Sequence, residues 1–198
     1  TFYYCIHMFT FKKRYYLIIE NTKDVDLRYI KKRSKFIIIY RNFNKIENIN
    51  HLKKFRKICK AKNIKFYVAN NIKLAISLKS NGIYLSANNK SLSYLKFKSK
   101  KFNILGSAHN IREITLKKKQ GCEHIFLSRL FKVTYKPNLS YLGVNRFNIC
   151  AINNFKRIIP LGGINFNNLN KQKNIISDSF AILSEVKKKP ANIINRLF

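Results

Sequence analysis

The sequence predicts an α/β protein built as one small (β/α)8 barrel. Eight short apolar blocks recur along the chain, at residues 15–19, 36–40, 66–69, 82–85, 103–106, 124–127, 158–161 and 180–183. Each block is a continuous apolar run and not an alternation, the pattern of strands covered on both faces in a parallel sheet. The separating stretches carry helical spacing or helix caps. At 198 residues the barrel stands near the lower end of the range for the TIM fold. A doubly wound open sheet is the alternative architecture, but no GxGxxG follows the first block.

The elements follow in order. Residues 1–13 are expected to be a disordered extension, and residues 14–198 the barrel. The apolar stretch 1–9 precedes Lys12, Lys13 and Arg14, the reverse of a secretory signal, and Met8 stands as an alternative start. After the second block, Leu52, Phe55, Ile58 and Cys59 recur at helical spacing over residues 51–61, with Lys53, Lys54, Arg56, Lys57 and Lys60 on the other side. Ile72, Leu74, Ala75, Ile76 and Leu78 make a shorter apolar helix. Asn110 can cap a helix after the fifth block, with Glu113 as its capping-box partner. Residues 192–198 are expected to form a last helix over one end.

Composition narrows the function. Lys and Arg number 41 against 8 Asp and Glu, a formal charge of +33, with 46% hydrophobic residues and only 6 Gly and 3 Pro. That excludes a disordered basic tail and low-complexity or collagen-like chains. No apolar run approaches the roughly 20 residues that span a bilayer. The charge invites nucleic acid, but it is spread along the whole chain and accompanies abundant Asn, Ile, Phe and Tyr, a compositional bias; nucleic-acid binding ranks third among the readings. The cysteines Cys5, Cys59, Cys122 and Cys150 form no CxxC pair and no zinc spacing. Cys59 and Cys122 read as core fillers, and the pattern fits a reducing, cytoplasmic setting. Eight acidic residues leave little room for paired carboxylates.

In such a barrel the chemistry gathers where strands end. Arg41 follows the second block, Asn70 and Asn71 the third, and Asn88 and Asn89 the fourth. Ser107 and His109 follow the fifth, Lys136 lies in a long loop after the sixth, Gly162 and Gly163 follow the seventh, and Ser184 the eighth. Adjacent glycines let backbone N–H groups approach a phosphate, and a hydroxyl after the next strand can complete the cradle. A simple turn at Gly162-Gly163 is the bland alternative.

These segments, in this order, resemble the thiamine-phosphate synthase family and its TenI-type relatives over nearly the whole chain from Arg14. Residues 66–85 are similar to the family's "INDRxDLA…GADGVHLG" segment, residues 106–110 to its "SxH" motif and residues 121–125 to "GADYI". Residues 130–137 are similar to "IFPTxTKP", and residues 160–164 with 181–184 to the "AIGGI … VVS" ending. The resemblance implies that hydroxymethylpyrimidine diphosphate is joined to thiazole phosphate with release of diphosphate, assisted by Mg2+. It implies a thiazole-phosphate site at Gly162, Gly163 and Ser184, and a diphosphate site at Arg41, Ser107 and Lys136. The family's two magnesium-binding aspartates fall at Asn70 and Asn89. Other family positions also differ, at Ile39, Phe43, Ala69, Val133 and Tyr135, and Arg129 stands where the tautomerase branch has histidine. Two readings stay open: a divergent synthase in which cations such as Lys90 and Lys132 neutralise the diphosphate, or a barrel that binds phosphorylated ligands without turnover.

Overall fold

The computed structural model describes residues 14–30, 35–42, 47–133, 138–154, 157–165, 168, 171 and 173–183. Eight parallel strands close into a barrel in chain order, the last pairing with the first. They are β1 (Arg14–Ile19), β2 (Phe36–Tyr40), β3 (Lys65–Ala69), β4 (Gly82–Leu85), β5 (Asn103–Ala108), β6 (His124–Ser128), β7 (Ile158–Leu161) and β8 (Ser179–Ile182). Closure is carried by the register Tyr15↔Phe180, Tyr16↔Ala181 and Leu17↔Ile182. All eight predicted strands are present. β5 runs two residues further than expected, so Ser107 lies inside a strand and not in the loop after it.

Continuous apolar runs are required because successive residues face two different cores. Tyr16, Ile18, Ile37, Ile39, Tyr84 and Phe126 belong to the cluster that fills the barrel. Their chain neighbours, such as Leu17, Phe36, Ile38, Ile83 and Ile125, pack in the layer between strands and helices. Each fully buried Ile or Leu contributes roughly 1.5–3 kcal/mol over exposure. Aromatic rings stack through the interior: Tyr16 meets Phe126 edge-on at 4.9 Å, and Tyr84 lies 5.5 Å from the same ring.

Four helices cover the outside among the described residues: α1 (Ile49–Ala61), α2 (Ile72–Ser77), α3 (Ile111–Lys119) and α4 (Gly143–Ile152). In α1, Leu52, Phe55 and Cys59 are buried as the spacing predicts, whereas Ile58, expected on the same side, is exposed. The helix begins two residues early because the Asn48 side chain accepts the Asn50 N–H at 2.9 Å. Asn71 caps α2 through the Leu74 N–H, and Asn110 caps α3 through the Glu113 N–H, each at 2.9 Å. The Glu113 carboxylate reaches back to the N–H of His109, one residue before the cap, at 2.7 Å. Short 3₁₀ turns at Thr22–Asp24, Leu27–Tyr29 and Ser93–Phe97 fill other connections. The expected extension 1–13 and last helix 192–198 lie outside the described residues. Among the described residues, no helix is long and apolar enough to cross a membrane.

Burial disposes of the cysteines as expected. Cys59 and Cys122 are buried, and desolvation pushes both thiols up to about 12, which makes them inert at neutral pH.

Candidate functional site

Period-two alternation dictates what the barrel mouth is made of. Ile39, Tyr84, Leu105 and Phe126 belong to the filling of the barrel. Two residues further along their strands come Arg41, Ser86, Ser107 and Ser128, where apolar filling gives way to polar side chains. These four line a cavity of about 210 Å³ at the C-terminal ends of the strands. Gly162 and Gly163 line it from the end of β7, and Ile182 and Leu183 from the end of β8. Arg129 and His109 also face it, and among the described residues no carboxylate lines it.

Each wall has a structural cause. The Arg41 N–H donates to the Ile19 carbonyl at 2.8 Å, so the β1–β2 ladder carries Arg41 to the rim. Ser107 is buried on β5. The Tyr84 hydroxyl, buried and without a hydrogen-bond partner among the described residues, belongs to the same cavity lining. Burial raises the Tyr84 pKa and the Arg41 charge opposes that rise, so the phenol is a neutral donor at pH 7. Sequence reasoning did not single out Tyr84; its position two residues before the polar layer was the available signal.

The glycine pair is held tightly. Gly163 has φ +72°, and a Cβ there would stand 2.5 Å from the Phe131 carbonyl oxygen and 2.7 Å from that of Lys132. The Gly162 carbonyl accepts the Phe131 N–H at 3.1 Å, and the Gly163 carbonyl accepts the Asn168 side-chain amide at 2.6 Å. Only glycine fits a left-handed position pressed against another backbone. Of the residues expected to hold phosphates, the cavity therefore brings together Arg41, Ser107, Gly162 and Gly163. Ser184 and Lys136 lie outside the described residues.

Asn70 and Asn89 do not line the cavity but meet beside it. Asn70 has φ +56°, a region asparagine tolerates. Its Oδ1 accepts the Ser86 N–H at 3.0 Å and the Asn89 side-chain amide at 3.3 Å, and its Nδ2 donates to the Ser86 hydroxyl at 3.1 Å. The Asn89 Oδ1 accepts the Ser91 N–H at 3.1 Å. Magnesium takes carboxylates and phosphates in an octahedral shell. Two neutral amides whose oxygens already accept N–H donors do not fit it. Among the described residues no cluster of three His, Cys, Asp or Glu side chains could hold a metal ion.

Comparison with known proteins agrees with this architecture. A model of the family described as thiamine monophosphate synthase matches residues 12–186. The thiamine-phosphate synthase of Prochlorococcus marinus strain SARG is 25% identical over 139 residues, covering 70% of this chain and 40% of that protein. The thiamine-phosphate synthase of Methanococcus vannielii is 26% identical over 116 residues, covering 59% of this chain and 56% of its own. The chain thus spans about two fifths to a little over half the length of these curated relatives. Among solved structures, thiamine phosphate pyrophosphorylase from Pyrococcus furiosus superposes with a TM-score of 0.65 at 15% identity, over 94% of this chain and 98% of that one. The 3-keto-L-gulonate-6-phosphate decarboxylase of Vibrio cholerae gives 0.62 at 10% identity, over 94% and 99%. At those identities the two structures speak for the fold. The family match covers the strands, the glycine pair and the polar rim together, and the chain belongs to the thiamine monophosphate synthase family.

Proposed function

We propose that the cavity binds phosphorylated pyrimidine and thiazole substrates, and that the chain is a divergent thiamine-phosphate synthase-like protein. The observation that carries this reading is the convergence of Arg41, Ser107, Gly162 and Gly163, from three strand ends, on one cavity with no carboxylate among its described lining residues. Gly162 and Gly163, with Ser184 after the next strand, hold the thiazole phosphate through backbone N–H groups and a hydroxyl. Arg41, Ser107 and Lys136 hold the diphosphate, the guanidinium as a fork on two oxygens. In the reaction the C–O bond between the pyrimidine methylene and diphosphate breaks, and its electron pair leaves on diphosphate. The thiazole ring nitrogen then supplies the pair for the new C–N bond, and the positive charge stays on the thiazolium ring. Cations at the mouth stabilise the departing charge.

The Asn70–Asn89 amide pair favours a second reading, a barrel that binds phosphorylated ligands and has lost the transfer step. One experiment separates the two. The protein is incubated with hydroxymethylpyrimidine diphosphate and thiazole phosphate, with and without Mg2+, and thiamine phosphate is assayed. Product supports the synthase. Binding of both ligands at high protein concentration without product supports the binder and removes the synthase.

A further inference from the structure

We propose that Lys117 is a positioning residue of the anion site: its ammonium holds the loop after β4 in the shape that lines the cavity and adds a fixed positive charge behind that wall. The inference rests on the anion-site reading given above.

Lys117 sits in the run Lys117-Lys118-Lys119 at the end of α3, yet it is fully buried while its two neighbours are exposed. Its stem passes β5 at Gly106, where a Cβ would meet its Cδ at 2.8 Å and its Cγ at 3.2 Å. The missing side chain of Gly106 is the opening through which the lysine enters.

Beyond that opening Nζ meets three oxygens. It donates to the Ser86 carbonyl at 2.8 Å, the Asn89 carbonyl at 2.7 Å and the Gln120 Oε1 at 2.9 Å. A lysine ammonium has three N–H donors, and all three are used. Gln120, also fully buried, completes the clasp: its amide donates to the Asn89 carbonyl at 3.0 Å and the Ser91 carbonyl at 2.8 Å. The two side chains thus grip residues 86–91 by three carbonyls.

That loop is a wall of the cavity. Ser86, Ala87 and Asn88 line it, and Ser86 is bonded on its far side to Asn70. A buried ammonium is costly to desolvate, and an apolar side chain of similar length would avoid this. Burial accordingly pulls the Lys117 pKa down, with Cys122 and Glu113 the titratable groups that oppose the shift. The peptide that turns the Ser86 carbonyl onto the ammonium carries at its other end the N–H of Ala87, a residue that lines the cavity.

The test uses inorganic diphosphate, titrated by calorimetry at constant ionic strength without divalent cations. Lys117→Met is expected to bind about tenfold more weakly than the unmodified protein, the loss of one charge-assisted interaction, with an unchanged circular dichroism spectrum. Lys117→Ala leaves a cradle of three oxygens, so ammonium ions are expected to restore its affinity while tetramethylammonium at equal ionic strength does not. A packing role alone would give no such rescue. Equal affinity of Lys117→Met and the unmodified protein, or loss without ammonium rescue, overturns the role of Lys117 and leaves the anion site standing. No diphosphate binding by the unmodified protein overturns the anion site itself. If neither variant folds, amide exchange in the intact chain decides: diphosphate must slow exchange at Asn89 and Ser91, and unchanged exchange there overturns the inference.

Discussion

Gly163 and Gly143 form a natural pair for testing the glycine cradle. Their backbones are nearly the same, with φ +72° and +71°. Their surroundings are opposite: a Cβ on Gly143 meets nothing within 4 Å, whereas one on Gly163 stands 2.5 Å and 2.6 Å from the carbonyl atoms of Phe131. Alanine at either position incurs the left-handed penalty of about 1–2 kcal/mol. Gly163→Ala must in addition displace rigid backbone, an overpacking cost of about 1–3 kcal/mol. Gly143→Ala should therefore lower stability by about 1–2 kcal/mol and Gly163→Ala by about 2–5 kcal/mol. Urea denaturation monitored by circular dichroism gives both values, provided the slope m is unchanged. Calorimetry with inorganic phosphate supplies the functional arm. Relief of the Gly163 contact has to move either the glycine pair or the Phe131 segment, so phosphate affinity should fall steeply there and hold in Gly143→Ala. Equal stability losses, or a Gly163→Ala protein that binds phosphate normally, would refute the close approach on which the cradle depends.

The remaining predictions address charge. Burial, helped by Arg14, Arg157 and Lys65 and opposed by Glu123, holds the His124 pKa below 6.5 in the folded protein. The unfolded chain then binds more protons over the interval below about 6.5, so stability rises with pH through that interval and is lost on acidification. Thermal melts between pH 5 and 7.5 should show this slope and His124→Gln should flatten it; an unchanged slope would assign it elsewhere. Replacing both Asn70→Asp and Asn89→Asp sets two carboxylates where amides now bond each other at 3.3 Å. The doubly substituted protein should melt lower in EDTA and recover with Mg2+, and a melting temperature indifferent to Mg2+ would show that the ligand geometry is gone. Arg41→Met should weaken diphosphate binding by about tenfold or more, as expected for a lost guanidinium fork; unchanged affinity would remove Arg41 from the site. Random-sequence DNA separates the nucleic-acid reading: strongly salt-dependent binding that Gly163→Asp leaves intact would place the charge of +33 at the service of a polyanion.

What could be read from the sequence, and what could not, follows from how far apart the determinants lie. The strands were legible because both faces of each are buried, which leaves an uninterrupted apolar run such as Phe36–Tyr40. The capped helices were legible because Asn110 and Glu113 are three residues apart and act on each other directly. α4 was not expected. No side chain caps it, and its buried residues Phe147 and Ala151 are offset by Ile149 and Ile152, exposed by 60% and 57%. Its apolar residues therefore point both ways and give no clean face. Arg41, Ser107 and the glycine pair could be found because each sits at a strand end, where position alone implies the mouth. Lys117 could not, since nothing in Lys117-Lys118-Lys119 marks which lysine turns inward. On another element, Gly106 leaves the room that the Lys117 stem and the Cys122 thiol occupy. The same logic explains the Asn70–Asn89 pair: each asparagine is an ordinary loop residue in sequence, and only the adjacency of β3 and β4 makes them partners. Local spacing thus writes the scaffold of this barrel, while the character of its mouth is written in pairs of residues from neighbouring βα units. Substitutions that change the chemistry of the site should accordingly be sought two at a time, as in Gly106 with Lys117 or Asn70 with Asn89, where double-mutant cycles will show strong coupling.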